Sequence, residues 1–387
     1  MLKDIDKSMC CGCKACENIC PNNCISAEED VMGFYYPRID VSKCTNCHLC
    51  ESVCPITHNN LQEGINYYIG YTKDNETRFN GSSGGVFGTV AKLVIQQNGI
   101  VFGAGFNEEL KLVIQNAENE SELKTLYKSK YIQCNTNNSF QEIKTELKKE
   151  RVVLFCSTPC YIQALKNYLI KDYPNLITID FVCHGVSSQK FFDQSLEWWR
   201  KKGIVINAYD FRSKNHKINC SRVFKAVTDK KVMTDIYLND PYYYFYYLDY
   251  ISFRESCYSC VFATDTRCSD ITIADCHTPL KFFPNEDRLR GCSSIICNSQ
   301  KGEKILNQIK LSKIMVDKKT IVDGNACLNS PCISKMHIKF IEDYKNLDFN
   351  SLLKKYGFYS LNTQIKRNYY KSPLIIQKLV RKYLIKE

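Results

Sequence analysis

A duplicated cysteine motif in the first 55 residues constrains the fold of this chain more than any other feature. CCGCKACENICP at residues 10–21 and CTNCHLCESVCP at 44–55 both follow the pattern C-x2-C-x2-C-x3-C-P. The copies are related by a constant offset of 34 residues. A segment this short and this poor in apolar residues cannot bury much core. We therefore expect bound metal to hold it together, and iron chelation to unfold it.

The pattern is that of bacterial proteins with two [4Fe-4S] clusters, in which the fourth cysteine of each run ligates the other cluster. The first predicted cluster has the ligands Cys10, Cys13, Cys16 and Cys54, and the second has Cys44, Cys47, Cys50 and Cys20. Cys11 and Cys24 fall outside the pattern, so they are not expected to be ligands. A pair of zinc knuckles is the alternative, but zinc usually takes two C-x2-C pairs with a longer spacer.

The cysteine usage and the remaining composition indicate a cytoplasmic protein. The chain has 23 cysteines, an odd number, and its first residues lack the apolar segment of a secretory signal. Because disulfides persist mainly in secreted proteins, metal ligation explains the cysteines better than disulfides do. No apolar run reaches the roughly 18 residues that a membrane span requires. The net charge is +11, but Lys and Arg are scattered and no nucleic-acid-binding motif is present. We expect no nucleic-acid partner.

From about residue 67, strand and helix patterns alternate, which predicts an α/β or α+β domain with a mixed sheet. GSSGG at 81–85 precedes a predicted helix. Glycines allow close approach of a ligand and helix N-termini bind anions, so the loop suits a nucleotide or flavin phosphate. It matches neither common nucleotide-binding motif, and an ordinary connecting turn is an equally good interpretation.

Several later cysteines occupy positions that suit a site. Three predicted strands end in cysteine, namely Cys156, Cys183 and Cys276. Ligands collect outside the carboxyl ends of strands in open sheets, which suggests a shared site. Cys160 lies in the first turn of a predicted helix, where the dipole favours a thiolate. Cys257 and Cys260 form a C-x2-C pair that suits two corners of a cluster. Burial as small apolar residues is the alternative.

Ordered motifs along the chain resemble a known family. They are GSSGGVFGTVAKLVI, SKYIQ, STPCYIQALKNYL, DFVCHGVSS, RESCYSCVFA, DITIAD and SSIICNSQKGEKIL, between about residues 65 and 330. In this order they resemble the coenzyme F420 hydrogenase/dehydrogenase beta subunit family, many members of which carry an N-terminal dicluster unit. The resemblance implies an FAD-binding domain with a [4Fe-4S] cluster of its own, ligated here by Cys160, Cys183, Cys257 and Cys260.

The resemblance also implies the FAD site and the substrate. By motif, the residues around FAD are Ser82, Ser83, Gly84, Gly85, Ser129, Lys130 and Tyr131. Lys130 would pair with a phosphate or polarise the isoalloxazine, and His184 would touch the flavin or donate a proton. An ordinary loop histidine is an equal alternative for His184. DITIADCHT departs from the family's DITIGDFW, which puts the deazaflavin substrate, coenzyme F420, in doubt.

The predicted fold is therefore α+β, with a dicluster ferredoxin-type domain over 1–60, a flavin domain over 65–330 and a helical basic tail over 331–387. The tail has apolar residues at helical spacing and a cationic face, but packing on its own domain is commoner than membrane contact. We expect an FAD-dependent iron-sulfur oxidoreductase that exchanges electrons with a small redox substrate and a partner subunit or electron-transfer protein. The alternative is an electron-relay accessory subunit without turnover of its own.

Overall fold

The computed structural model describes residues 6–214, 218, 220–372 and 376–377. In its N-terminal unit the two cysteine runs fold alike. Helix α1 (Ala15–Ile19) follows Lys14 (φ 58°), and 34 positions later α2 (Leu49–Ser52) follows His48 (φ 59°). Between them, strands β1 (Ile25–Glu29) and β2 (Tyr35–Ile39) form an antiparallel hairpin. The sequence duplication is thus a duplication of backbone conformation.

Strands and helices alternate through the rest of the chain. The first group comprises β3 (Asn66–Thr72), α3 (Asn75–Asn80), α4 (Val86–Gln96), β4 (Ile100–Phe106), β5 (Leu112–Ala117), α5 (Glu120–Leu126), α6 (Ser139–Lys148), β6 (Val153–Ser157), α7 (Pro159–Leu169), β7 (Leu176–Phe181) and α8 (Gln189–Arg200). The second group comprises β8 (Ile206–Asp210), β9 (Val223–Thr228), β10 (Val232–Ile236), α9 (Pro241–Tyr247), β11 (Ile271–Asp275), α10 (Pro279–Phe282), β12 (Ser293–Cys297), α11 (Gln300–Gln308), β13 (Leu311–Met315) and α12 (Lys318–Asp323). Helices α13 (His337–Asn346), α14 (Phe349–Lys355) and α15 (Leu361–Lys371) follow.

One large mixed sheet organises these elements, with strand order β13-β3-β12-β11-β7-β6-β4-β5. The neighbouring strands β11, β7, β6 and β4 run parallel, and the outer pairs are antiparallel. Strands β6 and β7 are almost entirely buried, as expected for parallel strands covered on both faces. The α+β class with a mixed sheet, predicted from the sequence, is confirmed.

The carboxyl ends of the parallel strands meet at one edge of this sheet. Strand β3 is antiparallel to β12, which is antiparallel to β11, so β3 ends at the same edge. The glycine loop after α3 and the segments after β6, β7 and β11 therefore lie together. This is the edge at which open sheets usually bind ligands.

A second, three-stranded sheet (β10-β9-β8) and the C-terminal helices pack around helix α9. Tyr242, Tyr243 and Phe245 of α9 are fully buried. They contact aromatic rings from α8, α13 and α14, including Phe191, which lies 5.4 Å from Phe245. The aromatic run of the sequence is thus core, as its composition predicts.

The N-terminal unit shares two cores with the large domain. Met32, Phe34 and Tyr36 belong to the aromatic core around α9, and Ala15 and Val53 pack with residues of α6 and α7. Among the described helices, none is both long and apolar enough to cross a membrane. Within the predicted tail, the structure describes helices as far as α15, whereas most of the apolar segment after Ser372, at 373–375 and 378–387, lies outside the described residues.

Candidate iron-sulfur sites and an adjacent cleft

Two cavities in the N-terminal unit are lined by cysteines from both runs. The first is lined by Cys10, Cys13, Cys16 and Cys54, and the second by Cys20, Cys44, Cys47 and Cys50. These are the two crossed sets that the sequence pattern predicts. Each cavity thus contains the three closely spaced cysteines of one predicted set together with the last cysteine of the other run, which is the arrangement that suits two cubane clusters. Cys11 is an additional thiol in the lining of the first cavity.

The donor sets fit cubanes better than single metal ions. Within the described residues, no group of three or more His, Cys, Asp or Glu side chains is placed to hold one metal ion. In a cubane each thiolate binds a different iron, so the four sulfurs need not converge on a point. Cys24, which the pattern leaves out, also lines the second cavity, with its Sγ 3.3 Å from that of Cys20.

The two cavities differ in their surroundings. Cys13 is buried beneath the large domain, whereas Cys47 and the residues on both sides of it, Asn46 and His48, are exposed. The first cavity thus faces the interior of the protein and the second faces solvent.

Four consecutive carbonyl groups attach the first cavity to the large domain. The oxygens of residues 10, 11, 12 and 13 accept hydrogen bonds from Arg254 Nε (2.6 Å), Gln133 Nε2 (3.0 Å), Tyr161 Oη (3.2 Å) and Thr136 Oγ1 (3.1 Å). The backbone of Gly12 (φ 69°) lies so close to the Gln133 side chain that an added Cβ would clash with Gln133 Nε2. We call this set of contacts the carbonyl latch. It fixes the orientation of the Cys10–Cys13 loop.

A third group of thiols lies in the large domain beside the latch. Burial raises the pKa of Cys183 to about 12 and also raises the pKa of Cys257, and the nearby Cys260 adds to both shifts. The pKa of Cys160 is raised first by its hydrogen bond with Cys11, then by burial and by Cys260. The four predicted ligands of the third cluster are therefore neighbours, and Cys11 joins them to the first cavity.

These thiols fit a bound metal cluster. Four partly buried thiolates this close together would repel one another, and removing charge from water is costly unless a cation compensates it. Cys160 does lie in the first turn of α7, but its hydroxyl neighbour Thr158 contacts the sulfur (3.2 Å) rather than capping the helix. The hydrogen bond with Cys11 and burial therefore oppose the thiolate that the helix dipole is expected to favour at Cys160.

The three strand-end thiols do not share one site. Cys183 joins the third thiol group. Cys276 hydrogen-bonds with Cys292, whereas the charges that act on Cys156 come from Asp180 and Lys130. The strands end at the same edge, as expected, but the three thiols have different neighbours.

The glycine loop packs against the sheet more closely than the sequence suggests. The Gly84 N–H donates to Ser293 Oγ (2.9 Å), and a Cβ at Gly84 would meet Gly70 O at 2.5 Å. Gly85 (φ 78°) occupies the N-cap of α4, and no side chain caps this end of the helix. Close packing and a left-handed turn therefore explain both glycines, and the N-terminal N–H groups of α4 are left without a side-chain cap.

Arg212 joins several of the predicted cofactor residues. It donates to Tyr131 Oη (3.1 Å), to Asp275 Oδ2 (2.8 Å) and to the Ser82 carbonyl (3.5 Å). Ser82 Oγ in turn accepts from the backbone N–H of Ser129 (2.6 Å). Ser82, Ser129 and Tyr131 thus line one region, which we call the cleft.

His184 lies in the same region, near Arg212 and Asp275. It is exposed, and partial desolvation lowers the pKa of its imidazole. Asp275 opposes the shift, and His277, Arg212 and Arg222 add to it. The cleft is therefore rich in cationic and imidazole groups, a composition that fits an anionic cofactor or substrate.

Two lysines at the edge of the cleft are held by carbonyl groups. Lys214 Nζ donates to the carbonyls of Ser83 (2.6 Å) and Arg290 (2.6 Å), and burial lowers its pKa to about 7. Lys130 Nζ donates to the carbonyls of Thr125 (3.0 Å) and Tyr127 (2.7 Å) at the end of α5, and burial lowers its pKa to about 8. A phosphate contact by Lys130 would require its side chain to leave these acceptors.

A thiol with a lowered pKa adjoins the cleft at the position where the sequence departs from the family pattern. A hydrogen bond with Cys292 lowers the pKa of Cys276 to about 7, against the effect of burial. The Cys276 N–H also donates to the Cys292 carbonyl (2.9 Å), across the β11–β12 pair. Cys276 therefore has thiolate character near neutral pH.

Comparison with protein families accounts for both parts of the chain. Residues 9–57 match the 4Fe-4S dicluster domain, and residues 150–321 match the family described as the C terminus of the coenzyme F420 hydrogenase/dehydrogenase beta subunit. Residues 150–321 are therefore similar to this beta-subunit family. The dicluster match makes the N-terminal unit an iron-sulfur unit of the kind that transfers electrons.

Comparisons with individual proteins are more distant. A chain of a xenon-derivatised F420-reducing [NiFe] hydrogenase complex from Methanosarcina barkeri is 12% identical, with a TM-score of 0.46. The match covers 79% of the present chain and 96% of the other. No curated protein matches the chain.

Sequence inspection did not find the residues that connect the two parts. Arg254, Gln133, Tyr161 and Thr136 form the carbonyl latch, and Arg212 organises the cleft. Arg254 lies three residues before Cys257, and Tyr161 follows Cys160 directly, so proximity to cysteine motifs was the available signal. Thr136 and Arg212 carry no such signal, because their roles depend on contacts between distant segments.

Proposed function

We propose that this protein is an FAD-dependent iron-sulfur oxidoreductase with three [4Fe-4S] clusters. The observation that carries the proposal is the contact between Cys11 and Cys160, which links the first cysteine cavity to the third thiol group. The third group lies at the carboxyl edge of the sheet, beside the cleft. A one-electron path from the N-terminal unit thereby reaches a site that suits a two-electron cofactor.

In this proposal the third cluster is held by Cys160, Cys183, Cys257 and Cys260. FAD would occupy the cleft and, when bound, interconvert one-electron and two-electron steps. The region defined by Ser82 and Ser129 and the uncapped start of α4 supports an anionic group there, because backbone N–H groups at a helix start attract phosphate. Arg212 remains charged at all relevant pH values and would orient that group.

His184 is the proposed proton donor or acceptor of the cleft. Its lowered pKa keeps the imidazole neutral at neutral pH, so it would accept a proton there and donate one only in more acidic solution. Lys130 is proposed as a second polar group of the site, provided that it exchanges its two carbonyl acceptors for the ligand. The substrate is a small two-electron donor or acceptor, either coenzyme F420 or another compound.

The exposed second cavity supports an electron-transfer protein or a partner oxidoreductase subunit as the external redox partner. Cys47 and its neighbours offer the shortest approach for such a protein. We propose that electrons pass between this partner, the second cluster, the first cluster, the third cluster and FAD, in either direction.

The test is the cofactor content of anaerobically purified protein. We expect about twelve irons per chain and one releasable FAD, whereas two clusters alone would give about eight irons. Cys257→Ser should lower the iron content by about four. The control is Cys297→Ser, because Cys297 is even more deeply buried than Cys257 but bonds to the Ser299 carbonyl, away from the thiol group. Flavin-free protein with eight irons would refute the proposal.

The second candidate function is an electron relay without substrate turnover. The altered wall of the cleft favours it, since Cys276 and His277 replace the aromatic residues of the family motif. One assay distinguishes the two functions. It measures whether the isolated protein reduces an artificial acceptor with electrons from a two-electron donor such as reduced F420 or NADH. Turnover by the isolated protein would exclude the relay.

A further inference from the structure

Arg254 is a fully buried guanidinium at the junction between the N-terminal unit and the large domain. Its side chain is 0% exposed. Nε donates to the Cys10 carbonyl (2.6 Å), Nη1 to Gln133 Oε1 (3.0 Å) and Nη2 to the Tyr35 carbonyl (3.0 Å). All three acceptors are neutral, so they satisfy its hydrogen bonds without compensating its charge.

No carboxylate among the described residues forms an ion pair with Arg254. The other fully buried arginine, Arg267, is paired with Asp180 at 3.0 Å. The faces of Tyr36 and Phe34 lie 4.2 and 5.4 Å from the Arg254 guanidinium, but cation–π attraction is too weak to offset the burial of a full charge. Arginine does not lose its proton in proteins. The charge of Arg254 therefore needs a negative partner.

A source of negative charge, the first cysteine cavity, adjoins Arg254. Arg254 bonds to the backbone of Cys10 itself, and the thiols of Cys10 and Cys11 act electrostatically on it. We propose that Arg254 is the buried counter-charge of the cluster held by Cys10, Cys13, Cys16 and Cys54, and that it makes this cluster easier to reduce. The proposal depends only on the dicluster domain, not on FAD or on a third cluster.

Reduction of the cluster adds one electron and breaks no bond, so the reduced state carries one more negative charge than the oxidised state. A fixed positive charge stabilises the reduced state more than the oxidised state. In a buried environment the difference is large, because little solvent screens the charge. Arg254 does not line the first cavity itself but bonds to the carbonyl of Cys10, which does. Among the described residues, the lining of the second cavity contains no Arg or Lys, and this cavity is exposed at Cys47. Arg254 should therefore act on one of the two clusters and leave the other unchanged.

The experiment is an anaerobic redox titration of the full-length protein, followed by EPR, on wild type, Arg254→Gln, Arg254→Lys and Arg38→Gln. For Arg254→Gln we expect the ratio of reduced to oxidised first cluster to fall at least tenfold at a given potential, which equals a negative shift of 59 mV. The other ferredoxin-type signal should not move. Arg254→Lys retains the charge and should shift much less.

Arg38→Gln is the matched control. Arg38 belongs to the same unit, but its side chain is 71% exposed and lies 3.6 Å from Glu28, so solvent screens it and no potential should change. If Arg254→Gln assembles no first cluster, assembly in Arg254→Lys supports the counter-charge role, and equal loss in both variants overturns it. Unchanged potentials in Arg254→Gln with full iron content also overturn it.

Discussion

The buried ion pair between Asp180 and Arg267 gives the strongest quantitative prediction for the large domain. Their side chains are 0% and 1% exposed, with 3.0 Å between Asp180 Oδ1 and Arg267 Nη2. Arg267 also donates to the carbonyls of Phe262 and Thr264. Asp180→Asn keeps the shape but leaves the guanidinium uncompensated, so we expect a loss of about 3–5 kcal/mol in the free energy of unfolding. Arg267 also acts electrostatically on Cys183 and Cys260. The loss of the ion pair should therefore also disturb the positions of the thiols in the third group.

A double-mutant cycle separates the charge effect from packing. Urea unfolding of the full-length protein, followed by tryptophan fluorescence, would be compared for Asp180→Asn, Arg267→Met and the double variant. Because the second substitution removes the uncompensated charge, the double variant should be more stable than the sum of the single losses predicts, by about 2 kcal/mol. Additive losses within about 0.5 kcal/mol would refute the argument that the buried charge itself is the destabilising factor.

Three further predictions concern the cluster ligands, the cleft and the glycine loop. Crossed ligation predicts that Cys54→Ser leaves the same residual EPR spectrum as Cys10→Ser, and different spectra would contradict it. If His184 donates a proton, the reductive rate should rise as pH falls through its lowered pKa, below 6.5, and His184→Gln should abolish that dependence in a pH–rate profile; an unchanged profile would exclude the role. Gly85→Ala should cost at least about 1 kcal/mol in thermal unfolding, because φ is 78° and the Cβ would meet a neighbouring methyl group at 2.8 Å. The control Gly103→Ala should cost less, since its nearest contact is 3.7 Å.

The periodic parts of the fold could be predicted from local sequence. The run VVLFC became β6 (Val153–Ser157), and PCYIQALKNYL became α7 (Pro159–Leu169). Both have strong apolar patterns and clear boundaries, such as the proline at the start of α7. Strand β13 (Leu311–Met315) was missed, because it is an edge strand with little buried surface and a weak pattern.

The cysteine sets show what a spacing pattern can predict and what it cannot. The two crossed sets follow from spacing alone, because the ligands of each run are only three or four residues apart. Spacing could not show that Cys11, one residue from Cys10, contacts Cys160. That contact depends on how a distant helix docks on the N-terminal unit.

The interpretation of the glycine loop illustrates a different limit. A glycine-rich turn before a helix is compatible with both ligand binding and close packing, and the sequence cannot separate them. The structure shows Gly84 packed against Gly70 and bonded to Ser293, so packing accounts for that glycine. The contact of Ser82 with Ser129 could not be found locally, because 47 residues separate them.

The two N-terminal cavities have unequal environments, and this difference gives the proposed electron path an outer end and an inner end. The second cavity is exposed at Cys47, where a partner protein can approach, and the first is fixed by the carbonyl latch against the large domain. If Arg254 makes the first cluster the easier of the two to reduce, an electron accepted at the surface moves inward spontaneously. In the proposed path, the contact of Cys11 with Cys160 would then carry the electron toward the third thiol group. Arg254 and the carbonyl latch would thus have complementary effects. Arg254 would set the reduction potential of the first cluster, and the latch would set the distance of this cluster from the cleft.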